Sequence, residues 1–459
     1  MTSTYDAIII GTGQAGPSLA ARLARASMQV AIVERDRFGG TCVNVGCTPT
    51  KTLVASAHAA HVARRGADFG VRIDGPITVD MKKVKARKDA VVRPSTEGVE
   101  NWLKTTENVT VCEGHAHFES PHTVRVGEER LEADKIFINV GTRAFVPPFP
   151  GLQSVDYLTN AGMMEVDFLP EHLIIIGGSY IGLEFGQMYR RFGSEVTIVE
   201  RLSRLISRDD EDVSAAVQEI VENEGVEVRV EAECITAKKR GDQVVVGLKC
   251  ETGAREAVGS HLLLAVGRRP NTDDLGVGEA GLAVDERGYI QVDDQLRTNV
   301  PGVWALGDCN GRGAFTHTSY NDYEIVAANL LDDDPRRVSD RILTSALYID
   351  PPLARVGMTE AQARKSGRNA LIGRRMMTRV SRAKEKGETQ GFMKIIVDAD
   401  TEEILGATIL GVGGDEIIHC ILDVMYAKAP YTVIQRAVHI HPTVAELIPT
   451  MLGELVPLE

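Results

Sequence analysis

The sequence predicts an α/β protein made of two dinucleotide-binding units and a smaller α+β unit at the C-terminal end. Three observations carry that reading. A β-branched strand running into a glycine-rich turn and a helix occurs near the start, at Gly11-Thr12-Gly13-Gln14-Ala15-Gly16, and recurs at Gly177-Gly178-Ser179-Tyr180-Ile181-Gly182. In both copies the same interval leads from the first glycine to an acid closing the next apolar strand, Glu34 and Glu200. Past residue 337, strands at Leu343–Ile349, Gly391–Asp398 and Ile404–Leu410 mix with helices, as in an α+β unit.

Length and composition agree. With 459 residues the chain exceeds one ordinary core, since domains run to about 150 residues. A hydrophobic content of 43% and a charged content of 25% belong to soluble globular proteins, and no tract is long and apolar enough to span a bilayer. The opening Met1-Thr2-Ser3-Thr4-Tyr5-Asp6 lacks the basic and apolar parts of a signal peptide, so a cytoplasmic location is expected. A net charge of −13 argues against nucleic acid, whose binding rests on neutralising phosphates. The 7 cysteines are odd in number and dispersed, unlike a secreted disulfide framework.

In chain order, Tyr5–Ile10 is the first strand, and Gly11, Gly13 and Gly16 let backbone approach a pyrophosphate at a helix N-terminus. Glu34 is placed to accept ribose hydroxyls. A lone glycine motif is weak, but one following a strand, opening a helix and answered by an acid has the full context of a Rossmann-like unit. Next comes Phe38-Gly39-Gly40-Thr41-Cys42-Val43-Asn44-Val45-Gly46-Cys47-Thr48-Pro49-Thr50-Lys51. Pro49 suits a first helical position, and the alanine-rich run Leu53–Ala63 propagates a helix. At a helix N-terminus Cys47 ionises more easily than a core cysteine. Two ordinary buried cysteines are the bland alternative; the flanking nucleotide motifs favour the reactive reading.

The segment from Thr52 to Pro94 reads as helical, with Lys82, Lys83, Lys85, Arg87 and Lys88 forming a solvated face. Short alternating strands follow over Val109–Val126, and Lys135–Ile138 is a buried strand entering a turn at Gly141. Pro147-Pro148-Phe149-Pro150-Gly151 is the best linker in the chain. The second unit begins at Leu173; Gly177, Gly182 and Glu200 repeat the roles of Gly11, Gly16 and Glu34, with Ser179 replacing the middle glycine at the cost of a modest adjustment. It closes on Leu262–Ala265 and Gly267, an echo of Ile138–Gly141. Asp308 ends the strand-like Val303-Trp304-Ala305-Leu306-Gly307, where it could simply cap a helix. Leu331–Arg337 is a second, acidic boundary. Near the end, Thr443-x-x-Glu446 could be a capping box, whereas His441 with a carboxylate partner would make a proton-transfer pair.

The run GGTCVNVGCTPTK, with the two nucleotide motifs, resembles the redox-active disulfide segment of the class I pyridine nucleotide-disulfide oxidoreductases. That family includes dihydrolipoamide dehydrogenase, glutathione reductase and mercuric reductase; the resemblance covers essentially the whole chain and departs mainly at Thr48, usually aliphatic. It implies an FAD domain at 1–150 and 271–337, an NAD(P) domain at 151–270 and a dimerisation domain at 338–459. It also implies a Cys42–Cys47 disulfide, with Cys47 against the flavin, Cys42 facing substrate, and Cys112, Cys234, Cys250, Cys309 and Cys420 as bystanders. By the same resemblance Asp308 contacts the ribityl chain of FAD, and Gly141 and Gly267 join the cofactor-binding residues. Lys51 and Glu184 match the ion pair beside the flavin, and Tyr180 matches the residue shielding the nicotinamide pocket. His441 matches the acid/base and Glu446 its orienting partner, acting on the disulfide of the other subunit of a homodimer, while His439 is a structural neighbour. NADH is expected over NADPH because Glu200 would repel a 2′-phosphate, although Arg201 and Arg204 follow it.

The expected activity is therefore NAD(P)H-driven reduction of a small disulfide, an electrophilic oxidant or a metal ion. Dihydrolipoamide dehydrogenase is the main alternative, followed by Hg(II) reduction, a simple flavin oxidase and a flavin-bound redox sensor. A dedicated mercuric reductase is disfavoured, since Cys420 is the last cysteine and Met451–Glu459 holds none.

Overall fold

The computed structural model describes residues 2–249 and 255–458; Cys250 and the side chain of Cys234 lie outside what it describes. Among the described residues no helix is long and apolar enough to cross a membrane.

The strand Ala7–Ile10 is buried at every position, as expected of a parallel strand covered on both faces. Ile8 and Ile10 pack with Phe118 and Leu131, while Ala7 and Ile9 pack against Leu19 and Leu23 of the helix Gly16–Arg25. Ala7–Ile10 sits in the middle of a five-stranded parallel sheet ordered Val303–Ala305, Lys135–Ile138, Ala7–Ile10, Val30–Glu34, Val109–Glu113. The second parallel sheet repeats the order as His261–Leu264, His172–Ile176, Glu195–Val199, Glu227–Arg229. Each unit also carries a separate antiparallel meander: Ala116–Ser120, Thr123–Val126 and Glu129–Glu132 before Lys135–Ile138 in the first, Glu233–Arg240, Gln243–Lys249 and Glu256–Gly259 before His261–Leu264 in the second. The repeat thus extends beyond the glycine motifs. Both glycine turns leave the C-terminal end of the first strand of their unit, at the point where strand order reverses and ligands of such sheets bind.

The stretch after the cysteines corrects two expectations. The helix there is Cys47–Arg64, so Cys47 itself is the first helical residue and Pro49 lies within the first turn. A separate helix, Met81–Thr105, runs through Pro94 instead of ending there. Its basic run is not uniformly solvated: Lys88 is 3% exposed and donates to the Met164 carbonyl at 2.8 Å, and Arg87 donates to the Thr52 carbonyl at 2.8 Å. One edge of that run faces inward because Met81 packs into the same core as Leu53, Ala57, Met163 and Met164.

Pro150 of the proline-rich stretch accepts the Ala237 N–H at 2.9 Å, and Phe149 packs on the core of the second unit. The last sheet has six strands, ordered Thr344–Leu347, Leu353–Gly357, Ile404–Leu410, Phe392–Asp398, Ala370–Met376, Val456–Pro457. Its two central strands are buried at every residue, and the helices Gly414–Tyr426 and Leu447–Leu452 share their core. This sheet meets the second nucleotide unit through an ionic cluster. Lys394, 1% exposed, donates to Asp210 Oδ2 at 2.8 Å, Asp212 Oδ1 at 2.9 Å and Glu360 Oε1 at 2.8 Å. Those three carboxylates converge closely enough to hold a cation, and the lysine ammonium fills that role.

Candidate active site

The two glycine turns are built alike. Gly11 has φ +103° and a Cβ there would lie 2.4 Å from the Asn139 carbonyl oxygen; Gly177 has φ +117° and a Cβ would lie 2.3 Å from that of Ala265. Only glycine fits either position. Gly16 and Gly182 pack on the carbonyls of Gly11 and Gly177. The middle position is different in kind: Ser179 has φ −111°, ordinary for any residue, which explains why serine can stand where Gly13 stands in the first copy. The acids also act alike. Glu34 Oε2 accepts the Thr12 N–H at 3.0 Å and Oε1 the N–H groups of Arg35 and Asp36. Glu200 Oε2 accepts the Gly178 N–H at 2.7 Å and Oε1 that of Leu202 at 2.8 Å. Each carboxylate is thereby fixed at the mouth of its turn.

Both turns open into one cleft of about 2240 Å³, whose lining includes Cys42, Cys47, Gly141, Tyr180, Gly267 and Asp308. Burial pushes the Asp308 carboxyl up, and Thr142 Oγ1 donates to it at 2.9 Å. Gly307 beside it is held from behind: Asp322, 2% exposed, accepts the Gly307 N–H at 2.8 Å and is paired with Arg341. Arg268, whose basicity burial lowers, donates to Thr142 and stands 3.9 Å from Asp308. A cleft with a glycine turn, an acid fixed at its mouth and a desolvated carboxylate has room and polar groups for an elongated dinucleotide.

Around the cysteines the backbone is tied down by amides. Asn44 Nδ2 donates to the carbonyls of Phe38 and Gly40, both at 2.9 Å, while Asn44 Oδ1 accepts from Thr96 at 2.9 Å. Asn160 Nδ2 donates to the Val45 carbonyl at 2.9 Å. Cys42 and Cys47 are both free thiols here and touch through a sulfur hydrogen bond. That bond splits them. The Cys42 thiol beside it, the Thr316 hydroxyl and the Lys51 charge lower the Cys47 thiol to about 6 in spite of its desolvation. Donating to Cys47, together with burial, pushes Cys42 far up. Thr316 Oγ1 lies 3.3 Å from Cys47 Sγ. The described bystanders are set apart: burial pushes Cys112 up to about 11 and Cys309 up to about 12, and Cys420 bonds the Ile417 carbonyl.

Lys51, one turn beyond Cys47, donates to both oxygens of Glu184 at 3.0 and 2.8 Å. Glu184 is 5% exposed and also accepts the Tyr348 N–H at 3.0 Å, and the Lys51 ammonium lies 4.6 Å from the Tyr348 ring centre. This is not a surface ion pair. Tyr180 opens the helix that carries Glu184, and its hydroxyl donates to Ser345 at 3.2 Å. The six residues Cys42, Cys47, Lys51, Tyr180, Glu184 and Asp308 thus gather on one cleft.

His441 and Glu446 do not join them within the chain. The His441 Nδ1 is 3.0 Å from both Glu446 oxygens, and the histidine is 75% exposed on a segment where Val438 and Ile440 are also exposed. The Thr443 hydroxyl accepts the Glu446 N–H at 3.2 Å, but the Glu446 carboxylate turns to His441 and leaves the capping box incomplete. His439 sits nearby, its Nδ1 3.3 Å from the Ala437 carbonyl oxygen. Sequence reasoning missed Thr316, Tyr348, Arg268 and the amide of Asn44. Asn44 stood inside the run already singled out and Arg268 directly after Gly267; Thr316 and Tyr348 carried no motif.

The family model for pyridine nucleotide-disulphide oxidoreductases matches residues 5–322, and the model for their dimerisation domain matches residues 343–452. A relative in Escherichia coli, described as a probable pyridine nucleotide-disulfide oxidoreductase and called RclA, is 37% identical over 450 residues, covering 96% of this chain and 97% of the relative. Dihydrolipoyl dehydrogenase of Thermus scotoductus is 34% identical over 96% of this chain and 95% of its own, and mercuric reductase of Streptomyces lividans 34% over 97% and 94%. The solved structure of the HOCl-induced flavoprotein disulfide reductase RclA from Escherichia coli superposes with a TM-score of 0.89 at 36% identity, covering 98% of this chain and 100% of that one.

Proposed function

The chain belongs to the pyridine nucleotide-disulphide oxidoreductases, and from that membership we propose that it uses NADH to reduce a small electrophilic oxidant or disulfide through Cys42 and Cys47. It is an NAD(P)H-dependent flavoprotein reductase whose cofactors are those of its family, FAD and a pyridine nucleotide. Its matched dimerisation domain supports a homodimer. Residues 1–150 with 271–337 are proposed to hold FAD, 151–270 the nicotinamide nucleotide, and 338–459 the dimer contact.

The observation that carries the reading is that Cys42 and Cys47 line the cleft into which both glycine turns open, beside the Lys51–Glu184 pair. Gly11, Gly13, Gly16, Glu34 and Asp308 would hold FAD, and Gly177, Gly182, Tyr180 and Glu200 the nicotinamide nucleotide. When bound, these cofactors supply the electron pair that reduces the disulfide to the dithiol. The chain's own residues do the rest. Cys42 gives its proton to the partner subunit's His441, whose tautomer a carboxylate fixes, and attacks the electrophilic sulfur of the substrate. For a disulfide substrate, the sulfur–sulfur bond breaks, and the departing thiolate takes the proton back from the partner subunit's His441. Cys47, already a thiolate, then attacks the Cys42 sulfur, releases the second half and closes the Cys42–Cys47 bond. The pair loses two electrons and the substrate gains them.

Dihydrolipoamide oxidation is the second reading, favoured by the His441–Glu446 geometry and by the dihydrolipoyl dehydrogenase relatives. A related structure is a Cu(II) complex of RclA, so Cu(II) joins the acceptors worth assaying. The test is NADH oxidation by the holoenzyme with hypothiocyanite, glutathione disulfide, lipoamide, Hg(II) and Cu(II), and with Cys42→Ser and Cys47→Ser variants. Turnover of an oxidant or disulfide that vanishes in both variants is expected. Full turnover without the cysteines would refute the reading, and Hg(II) exceeding every other acceptor tenfold in excess thiol would reassign the substrate. A cytoplasmic location fits use of the NADH pool, and cell fractionation checks it.

A further inference from the structure

Three polar residues lie buried side by side on the helix Tyr180–Phe192. Glu184, Gln187 and Arg191 are 5%, 3% and 5% exposed, and with Tyr180 they recur at the spacing that keeps to one helix face. A buried polar stripe is costly unless every group in it is partnered. Its partners come from two other parts of the chain, in matching order. Tyr180 donates to Ser345, and Glu184 accepts from Lys51 and from the Tyr348 N–H. Gln187 then grips the backbone of Asp350, donating to its carbonyl and accepting its N–H, both at 2.8 Å. Arg191 closes the ladder on the Asp350 carboxylate. Its Nη1 donates to Oδ2 at 2.6 Å, while its Nε and Nη2 donate to Glu224 at 2.7 Å. The same Asp350 oxygen lies 2.7 Å from Nδ1 of His58, which stands about two turns beyond Lys51 on the helix Cys47–Arg64.

We propose that Asp350 is a positioning residue: by holding His58 and Arg191 on one carboxylate oxygen, it sets the register of the helix that carries Cys47 and Lys51 against the helix that carries Tyr180 and Glu184. The proposal rests on the reading that places the Lys51–Glu184 pair beside the flavin. That pair is assembled from two units of the chain, and nothing covalent fixes how far one helix slides along the other. The two helices also share an apolar core that includes Leu53, Ala57, Leu183 and Met188. Apolar contact is non-directional, whereas hydrogen bonds of fixed length and angle admit one register. Burial raises the Asp350 carboxyl, but the His58 bond and the charge and bond of Arg191 outweigh it and hold the carboxyl well below its usual range. It is therefore an anion between two donors, the strong form of such a joint. None of His58, Gln187, Arg191 and Asp350 lines the cleft, so they act on the reaction through Lys51 and Glu184. A slip at the far end of the ladder is carried along two stiff helices to the near end.

The test follows reduction of the bound flavin by NADH in anaerobic stopped flow, using holoenzyme. Asp350→Asn keeps both backbone bonds to Gln187 and removes the charge. A misplacement of 1 Å can cost roughly a hundredfold in rate, and a partial slip should slow flavin reduction at saturating NADH by about tenfold, with less than about a twofold change in the NADH concentration for half-saturation. His58→Leu should slow it likewise, whereas His58→Asn, whose amide nitrogen reaches where Nδ1 does, should restore it. The same Asp350→Asn change is then made in Lys51→Met protein. If Asp350 acts through the pair, the two losses are not additive, and the double variant is no slower than Lys51→Met alone. Full additivity overturns the proposal, as does an unchanged rate in Asp350→Asn or an equal loss in His58→Leu and His58→Asn. If Asp350→Asn fails to retain flavin, the two His58 variants, alone and with Lys51→Met, decide on the same criteria. A Lys51→Met protein that reduces its flavin at the wild-type rate would instead strike at the placement of the pair beside the flavin, and remove the proposal with it.

Discussion

Replacing Lys394 by methionine should strongly destabilise the protein. Its ammonium satisfies three carboxylates at 2.8 to 2.9 Å, and Lys394, Asp210 and Glu360 are all nearly closed to solvent. Arg374 remains near Asp212 and Glu360, but it is half exposed and its charge is screened. Removing one partner of a buried ionic group typically costs about 3–5 kcal/mol. At roughly 2–4 °C per kcal/mol for domains of this class, the apparent Tm should fall by about 6–20 °C. The pH dependence gives a second handle. Burial raises the Asp210 pKa, but the Lys394 bond and the Glu360 and Ala361 amides outweigh it and hold the carboxyl below its usual range. A depressed carboxyl stabilises the fold above its unfolded pKa and loses that contribution as pH falls through the folded value. Without the ammonium the remaining carboxylates bind protons more readily, so the deficit of the variant should be greatest at pH 7–8 and narrow towards pH 5. Circular dichroism scans at one heating rate, on wild type and variant at both pH values, measure it. A loss below about 3 °C, or a deficit that does not change with pH, would refute the reasoning.

Three further outcomes are expected. Cys47→Ser should abolish the long-wavelength absorbance of the two-electron-reduced holoenzyme, read by anaerobic titration, because the thiolate that lies at about 6 is gone. Mixing Cys42→Ser protein with His441→Ala protein under proven subunit exchange should restore activity, since neither the exposed His441 nor Glu446 is among the residues lining its own cleft; assay of the hybrid against each parent checks it. NADH should be preferred over NADPH in steady-state kinetics. Glu200 is locked to Gly178 and Leu202, and Arg204 is spent on Glu211 and the Ser207 and Asp209 carbonyls, which leaves Arg201 as the nearer candidate for a 2′-phosphate.

The fold was legible because it is written twice. A single glycine turn says little, but Gly11 and Gly177 each need positive φ for the same local reason, the carbonyl of a neighbouring strand at Asn139 or Ala265. Parallel strands buried on both faces appear as unbroken apolar runs such as Ala7–Ile10 and Leu173–Ile176, and those are visible without any structure. Cys42 and Cys47 were visible for the same kind of reason: sulfur, glycine and helix start follow one another along the chain. Ser179, an apparent defect in the second copy, turns out to occupy a backbone conformation that never required glycine.

What could not be read were contacts made across the chain by residues whose types are common on surfaces. Lys88 and Lys394 look like solvated charges, and only the packing of a second helix or a second unit reveals that each is enclosed and what it bonds. Thr316 shows the same limit at the reacting sulfur. Nothing in Phe315-Thr316-His317-Thr318 marks the hydroxyl, because its meaning depends on a helix start arriving opposite another helix start that carries Cys47. The sequence can display a nucleophile, whose chemistry is local. The groups that set its charge are distributed: Cys42 comes from the preceding turn, Lys51 from the next, and Thr316 from a helix far along the chain. A substitution at Thr316 or Lys51 should therefore change the acidity of Cys47 without altering the motif by which the site is recognised.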